Sequence, residues 1–186
     1  MREARSKMNF TPFPTMTTEH LCLRQITIED LNEFFILKSD ERLLRGYDAK
    51  AKTYEETRQF LQRINDEISK NEWILWGITL NNKLIGSICF WNISEEQPKA
   101  EIGYELMLEH QGKGIMQEAI KAVIEYGFKA MKLQLIEAFP NPNNLKSIKL
   151  LEKNNFNRGA NFKETDSLSG EICERVAYSL RNNDLK

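Results

Sequence analysis

The sequence predicts a mixed α/β layer fold, and three observations support this prediction. Apolar residues recur either at every second position or at helical spacing along most of the chain, which indicates strands and amphipathic helices. Helix-start signals precede the helical segments of the first third. No repeat, low-complexity tract or Pro/Gly/Ser-rich linker interrupts the 186 residues. The predicted element order is β-α-α-β-β-β-α-β-α-β-β, which is not a regular βαβ repeat.

The first third of the chain predicts one strand followed by two helices. A strand is expected over 20–26, where apolar and polar residues mix. Thr27 followed by Asp30, and Thr53 followed by Glu56, are typical of helix starts, because these side chains can bond the free amides of a first turn. Apolar residues then recur at helical spacing, at Ile28, Leu31, Phe34 and Phe35 and again at Phe60, Leu61, Ile64 and Ile68.

The middle of the chain predicts a hairpin, a strand and a long helix. Two apolar runs, 73–80 and 83–91, are joined at Asn81-Asn82, and asparagine tolerates the positive φ of a tight turn. A polar break then precedes a strand over 100–108. After Gly112-Lys113-Gly114 the spacing becomes helical, with apolar residues at 115, 116, 119, 120, 123, 124 and 131.

The remaining segments predict a strand, a helix and two strands, over 133–139, 144–154, 156–162 and 171–180. In the last strand, four apolar residues share one face, namely Ile172, Val176, Tyr178 and Leu180. We expect a single domain over 16–186, preceded by an N-terminal extension or arm over 1–15.

Composition argues against several classes of protein. The 26 Lys and Arg nearly balance the 27 Asp and Glu, whereas a general nucleic-acid binder usually has a basic excess. Three cysteines far apart, with no CxxC pair and only two histidines, match neither zinc spacing nor a paired disulfide framework. No apolar run approaches the roughly 20 residues of a membrane span, and no apolar segment follows the charged N-terminus. We therefore expect a cytoplasmic protein with no metal, membrane or nucleic-acid partner.

The glycine turn before the long helix indicates an anion site. The first amides of a helix lack internal partners and carry the positive end of the helix dipole, worth about 0.3–2 kcal/mol towards an anion. Glycines at 112 and 114 would let a phosphate approach the backbone. The alternative is a tight strand-to-helix turn with no ligand. Gln117 stands where a dinucleotide fingerprint needs glycine, and the P-loop pattern is also absent.

Three segments together carry a family pattern: Ala100–Tyr104 (AEIGY), Gln111–Ala119, and Asn144-x-x-Ser147 followed by Leu150–Lys153 and Phe156. In this order and spacing they resemble the GNAT superfamily of N-acetyltransferases, and in particular its ribosomal-protein N-terminal alanine/serine acetyltransferase branch. Gln111 and Gly114 match the acetyl-CoA pyrophosphate loop, Gln/Arg-x-x-Gly-x-Gly/Ala, and Met116 replaces the last small residue as it does in that branch. The resemblance extends from Phe13 to the last strand and implies a central mixed, mostly antiparallel sheet flanked by helices.

The resemblance implies that the chain binds acetyl-CoA as a cosubstrate. The end of the strand before the loop would pair its backbone with the pantetheine arm, the loop amides would hold the pyrophosphate, and Asn144 would contact the cofactor near its reactive end. The strand residues are Leu106, Met107 and Leu108, and the loop residues are Gln111, Gly112, Lys113, Gly114, Ile115, Met116 and Gln117. Ordinary strand packing is the alternative for Leu106 and Leu108, and a simple helix cap is the alternative for Asn144.

The resemblance also implies the catalytic roles. Glu101 falls at the family's position for a general base, and Ser147 at the position of the proton donor proposed for the ribosomal-protein branch. Many GNAT enzymes instead use a tyrosine where this chain has Leu151. Because a carboxylate with pKa near ~4.3 is a weak base, partial burial would have to raise the pKa of Glu101. The alternatives are an ion-paired strand glutamate for Glu101 and a hydroxyl bonded to a helix carbonyl for Ser147.

The acceptor is expected to be a primary amine. Tyr104, Arg45 and Tyr47 fall where the family builds its acceptor site. An α-amino group has a pKa near ~7.7–8.0 against ~10.4 for lysine, so deprotonating lysine costs roughly 3–4 kcal/mol more. We therefore expect direct transfer, within a ternary complex, to the N-terminal α-amine of a protein such as a ribosomal protein, by a monomer or homodimer. The alternatives are a small amine (polyamine, aminoglycoside or amino acid) and a non-catalytic acyl-CoA-binding sensor.

Overall fold

The computed structural model describes residues 8–45, 50–165 and 172–184. Its strands are β1 (Met16–Thr17), β2 (Cys22–Gln25), β3 (Ile74–Leu80), β4 (Lys83–Ser94), β5 (Lys99–Leu106), β6 (Leu135–Ala138), β7 (Asn157–Thr165) and β8 (Ile172–Arg181). They form one sheet in the order β1-β2-β3-β4-β5-β6-β8-β7. Only the β5–β6 pair is parallel within the described residues. The mixed, mostly antiparallel sheet is thus confirmed.

The helices are α1 (Leu31–Ser39), α2 (Glu41–Leu44), α3 (Tyr54–Ser69), α4 (Ile115–Lys129) and α5 (Leu145–Lys153). The predicted element order is confirmed, with two additions, the strand β1 and the one-turn helix α2. Both additions are too short to show a period in the sequence. None of the described helices is long and apolar enough to cross a membrane.

Local sequence signals explain where the elements begin and turn. The Thr53 hydroxyl accepts the Glu56 amide at 3.2 Å, and Glu56 in turn accepts the Thr53 amide at 2.7 Å, so the predicted capping box at the start of α3 is confirmed. Asp30 likewise accepts the Thr27 amide at 2.9 Å. The β3–β4 hairpin turns at Asn81 and Asn82, with φ values of 51° and 62°.

The core lies on both faces of the sheet. On one face, Phe90 of β4 packs against α4 at Gly127. On the other face, Glu105 of β5 contacts Lys38 of α1. The segment before β1 also contributes, since Phe10 is only 2% exposed. In β8, Val176, Tyr178 and Leu180, three of the four residues predicted to share one face, are buried, whereas Ile172 is 72% exposed at the start of the strand.

The parallel pair of strands creates an opening in the sheet. β5 and β6 pair over only three residues, Lys99–Glu101 with Leu135–Glu137. Beyond Glu101, β5 continues along β4 to Leu106, whereas β6 ends at Ala138. The sheet is therefore closed at Glu101 and open beyond it.

The β5 edge of this opening carries unpaired backbone. The Met107 amide donates to the Ile85 carbonyl of β4 at 2.9 Å. Because backbone groups alternate in direction along an antiparallel strand, those of Ile102 and Tyr104 point away from β4. The Ile102 amide takes part in the last bridge to β6, at Glu137, whereas the Ile102 carbonyl and the backbone groups of Tyr104 lie beyond that bridge, towards the opening. The predicted strand over 100–108 is wrong in its C-terminal limit, because Leu108 already belongs to a 3-10 turn, Leu108–His110.

Candidate active site

The loop after β5 presents free backbone amides at the start of α4. Gly114 is the N-cap of α4, and no side chain of the described residues caps the helix there. The first amide to donate within the helix is that of Glu118, which bonds the Gly114 carbonyl at 3.0 Å, so the amides of 115–117 have no helical acceptor. Gly112 and Gly114 have φ of 75° and 80°, and a Cβ on either would meet nothing within 4 Å. This open, amide-lined turn fits a pyrophosphate.

Gln111 ties the loop to its surroundings. Its amide donates to the Leu108 carbonyl at 3.1 Å, so the free amides begin at Gly112 rather than at Gln111. Its side-chain Nε2 donates to the Leu106 carbonyl at 2.9 Å, and its Oε1 accepts from Lys146 Nζ at 2.9 Å. The Gln111 side chain therefore joins the end of β5 to the first turn of α5.

The side chain of Gln117 faces the protein rather than the loop. Its Nε2 donates to Asn154 Oδ1 at 2.7 Å, and Asn154 Nδ2 donates back to Gln117 Oε1 at 3.1 Å. Only the backbone amide of Gln117 is thus available to a ligand. Lys113 is exposed beside the loop, where its charge could add to the attraction for an anion.

Helix α5 carries the predicted proton donor. Asn144 is its N-cap and accepts the Ser147 amide at 3.1 Å, so the capping role is confirmed, while a cofactor contact stays a prediction. The Ser147 hydroxyl lies 2.9 Å from the Tyr104 hydroxyl of β5. Leu151, which the family resemblance places where many GNAT enzymes use a tyrosine, is completely buried. Ser147 and Tyr104 are therefore the hydroxyl groups that this part of the site offers.

Glu101 lies at the closed end of the opening. Burial raises the pKa of its carboxyl above the ordinary value, the hydrogen bond from Asn92 opposes this rise, and the charge of Glu137 adds to it. Asn92 Nδ2 donates to Glu101 Oε1 at 2.8 Å. Glu137, directly across the parallel ladder, binds Lys99 Nζ at 2.9 Å. The shift in pKa is the one that a general base needs.

Sequence reasoning missed both neighbours of Glu101. Asn92 reaches Glu101 because its φ is 45° at the irregular register between Trp91 and Ser94. Glu137 is brought beside Glu101 by the register of the parallel pair. Neither a bulge in one strand nor the register of two distant strands leaves a periodic signal in the sequence.

The two predicted catalytic residues lie on opposite faces of the sheet. Side chains alternate along a strand, so Glu101 shares a face with Glu105, which contacts Lys38 of α1. Tyr104 lies on the other face, against Ser147 of α5. A base that takes a proton from an amine and an acid that protonates a leaving thiolate must act from different sides of the reacting carbon. The opening beyond Glu101 connects these two sides.

The face that holds Glu101 continues into a buried polar cluster. Glu105 Oε1 accepts from Lys38 Nζ and, at 2.8 Å, from Ser87 Oγ. Arg45, one of the residues predicted to bind the acceptor amine, is exposed just after α2. Tyr47, the other one, lies outside the described residues. Of the residues predicted to bind the acceptor amine, Tyr104 is the one that the structure places next to a predicted catalytic residue, Ser147.

Cys89 of β4 lies opposite Gly103 of β5, beside the candidate site. Burial raises the pKa of the Cys89 thiol to about 12, so it is not a nucleophile at neutral pH. Among the residues that the structure describes, no group of three or more His, Cys, Asp or Glu side chains could hold a metal ion.

Sequence comparison identifies the family. A family model described as an acetyltransferase (GNAT) domain matches residues 20–157, a range that includes Glu101, the glycine loop and α5. The uncharacterized N-acetyltransferase p20 of Bacillus licheniformis is 31% identical over 169 residues, which are 89% of this chain and 95% of p20.

Solved structures share the fold. An acetyltransferase (GNAT family) from Bacillus anthracis matches with a TM-score of 0.79 at 26% identity, covering 91% of this chain and 99% of that chain. RimL, a ribosomal L7/L12 alpha-N-protein acetyltransferase, matches with a TM-score of 0.81 at 21% identity, covering 90% and 94%. The likeness to RimL shows the fold alone. The chain therefore belongs to the GNAT acetyltransferase family and is an acyltransferase that uses acetyl-CoA.

Proposed function

We propose that this enzyme acetylates the N-terminal α-amine of a protein, such as a ribosomal protein, by direct transfer within a ternary complex. The observation that carries the proposal is a single half-buried carboxylate, Glu101, held by Asn92 at the closed end of the opening. RimL, a ribosomal L7/L12 alpha-N-protein acetyltransferase with the same fold, supports the same class of acceptor. Such acceptors are met in the cytoplasm.

In this proposal, backbone groups of the chain bind the cofactor. The free amides of 112–117 would hold the pyrophosphate, and the edge of β5 at the Ile102 carbonyl and at Tyr104 would bond the pantetheine arm. The Leu106 carbonyl, predicted to contact the pantetheine arm, already accepts from Gln111 Nε2 and keeps a second lone pair for another donor. When bound, acetyl-CoA supplies the acetyl group as an activated thioester.

In this proposal, Glu101 on one face of the sheet and Ser147 on the other carry out the proton transfers. Glu101, its pKa raised by burial, would accept a proton from the amine directly or through water. Ser147 would hold the proton that a leaving thiolate needs. Burial raises the pKa of the Tyr104 phenol, so Tyr104 stays protonated at neutral pH and can return a proton to Ser147 through their 2.9 Å contact.

The same geometry favours an α-amine over lysine. Glu137 is paired with Lys99, which leaves Glu101 as the carboxylate that would accept the proton. An α-amine is neutral in a substantial fraction of molecules near pH 8, whereas a lysine amine costs roughly 3–4 kcal/mol more to deprotonate. Close positioning of the neutral amine then supplies much of the rate.

The decisive experiment measures free thiol release from acetyl-CoA with a panel of acceptors. The panel contains ribosomal-protein N-terminal peptides, the same peptides with blocked N-termini and an internal lysine, free amino acids, polyamines and aminoglycosides. We expect turnover with unblocked peptides and little with blocked ones. Turnover only with small amines would overturn the protein acceptor. Tight calorimetric binding of acetyl-CoA with no thiol release from any acceptor would instead indicate a sensor.

A further inference from the structure

A groove lies beside Glu101, at the end of the sheet opposite the glycine loop. It has a volume of about 450 Å³ and is formed by the end of α3, the turn that joins α3 to β3, and the end of β4. We call it the tryptophan groove, after its walls Trp73 and Trp91, whose ring centroids are 5.6 Å apart. A volume of this size suits one or two side chains of a bound peptide.

The groove is directly connected to the candidate base. Trp91 is opposite Glu101 in the β4–β5 ladder, so their side chains are neighbours on one face of the sheet. Asn92 both lines the groove and donates to Glu101 Oε1 at 2.8 Å. A molecule whose amine reaches Glu101 would therefore have the groove next to it.

The lining of the groove combines aromatic rings with negative charge. Trp91 is 39% exposed, so part of its indole ring is accessible to a ligand. Three carboxylates, Glu67, Glu72 and Glu95, line the groove together with one ammonium, that of Lys70. Glu67 is paired with Arg63 at 3.6 Å, so Glu72 and Glu95 are the carboxylates on which the proposal depends. Exposed indole faces next to carboxylates attract organic cations by both ring quadrupole and charge.

We propose that the tryptophan groove binds a second cationic group of the acceptor, a basic side chain close to the acetylated N-terminus. This inference rests on the proposed function and names the acceptor class more narrowly, as N-termini with Lys or Arg among the first few residues. The reacting amine would lie at Glu101 and the basic side chain over Trp91, near Glu72 and Glu95. A diamine would offer the same two charges, so the test includes one.

The kinetic test compares three peptides that differ only in one residue near the N-terminus, Lys, Gln or Glu. We expect KM for the Lys peptide to be about threefold to tenfold lower than for the Gln peptide, with the Glu peptide poorest. In E72Q/E95Q this preference for Lys should shrink towards one. The control E125Q removes an exposed carboxylate from α4, on the other face of the sheet, and should keep the full preference.

A binding test separates failure of the groove from failure of the proposed function. Already acetylated Lys, Gln and Glu peptides cannot react, yet their binding should change the fluorescence of Trp73 and Trp91. We expect the Lys peptide to bind most tightly and E72Q/E95Q to lose that advantage. Acetylation of all three peptides with equal KM, or equal binding of the blocked peptides, would overturn the groove assignment alone. Preference for a diamine over every peptide would support the groove as a cation-binding site and overturn the proposal that the acceptor is a protein.

Discussion

The side-chain amides of Gln117 and Asn154 bond each other reciprocally, at 2.7 and 3.1 Å. Gln117 belongs to the first turn of α4, and Asn154 directly follows α5. The pair therefore joins the helix that would hold the pyrophosphate to the helix that carries Ser147. Asn154 also donates to the Leu150 carbonyl at 2.7 Å and is only 6% exposed.

Replacing Asn154 by leucine should destabilise the fold. The substitution keeps the number and branching of the side-chain heavy atoms but leaves the half-buried Gln117 amide without its partner, which costs about 1–3 kcal/mol. Urea unfolding measures the change in the free energy of unfolding. The matched control is Gln62→Ala on the exposed side of α3, which should change it by less than about 0.5 kcal/mol. An unchanged midpoint for Asn154→Leu would show that the amide pair contributes nothing to stability.

The glycine loop gives a prediction about cofactor affinity. Gly114→Ala should weaken acetyl-CoA binding, because φ of 80° costs a residue with a Cβ about 1–2 kcal/mol. No steric clash contributes, since the added Cβ meets nothing within 4 Å. Calorimetric titration measures the Kd, which we expect to rise about tenfold if relaxation of the strain moves the amides. The control Gly159→Ala lies in β7, and a Kd raised equally there would contradict the assignment of the loop.

The sequence was sufficient for much of the fold because its signals are local. The capping box at Thr53, the Asn81-Asn82 turn and the glycines before α4 each depend on neighbours within a few residues, and each is present in the structure. Strand limits were less predictable. Apolar residues continue past Leu106, so their pattern did not reveal that Leu108 enters a 3-10 turn.

The site was predicted in its parts but not in its assembly. Glu101, Ser147 and the glycine loop were named as candidates because the family pattern marks them in the sequence, and their roles stay predictions. Asn92 and Glu137 were not, because a positive φ and a parallel register bring them to Glu101. The side-chain contacts of Gln111 and Gln117 were equally invisible, since both depend on how α5 packs against α4.

The hydroxyl pair predicts an effect on the chemical step. Ser147→Ala should lower kcat about 10²–10⁴-fold if Ser147 supplies the proton to the leaving thiolate, and should leave the Kd of acetyl-CoA unchanged. Tyr104→Phe should have a smaller effect on kcat, because it removes the hydroxyl that hydrogen-bonds Ser147 but leaves Ser147 itself in place. Steady-state thiol release measures both.

The control for Ser147 is another helix serine. Ser39→Ala removes a hydroxyl that only donates to the Phe35 carbonyl at 2.7 Å in α1, so it should leave kcat near the starting value. Equal losses in the two serine variants would assign Ser147 a structural role.

The raised pKa of Glu101 predicts opposite effects on activity and stability. Glu101→Gln should lower kcat about 10²–10⁴-fold, because no base remains to accept the amine proton. Stability at pH 7 should not fall, because burial disfavours the charged form of this carboxyl in the folded protein. When the pKa of a carboxyl is higher in the folded than in the unfolded protein, the free energy of unfolding falls as pH rises from the unfolded pKa to the folded pKa.

The pH dependence separates these two roles of Glu101. The starting protein should therefore lose stability between about pH 4 and the folded pKa of Glu101, whereas Glu101→Gln should not. The difference in unfolding free energy, variant minus starting protein, should rise over this range and then stay constant. In the starting protein, kcat/KM should fall as pH decreases through that same folded pKa, as the base becomes protonated. Chemical unfolding at several pH values and thiol release over the same range measure the two curves. The titration of the acceptor amine near pH ~8 is common to both proteins. A second acid limb of kcat/KM at lower pH that persists in Glu101→Gln, with turnover intact, would assign the proton transfer to another group, and Glu137, which faces Glu101 across the parallel ladder, would be the first to test.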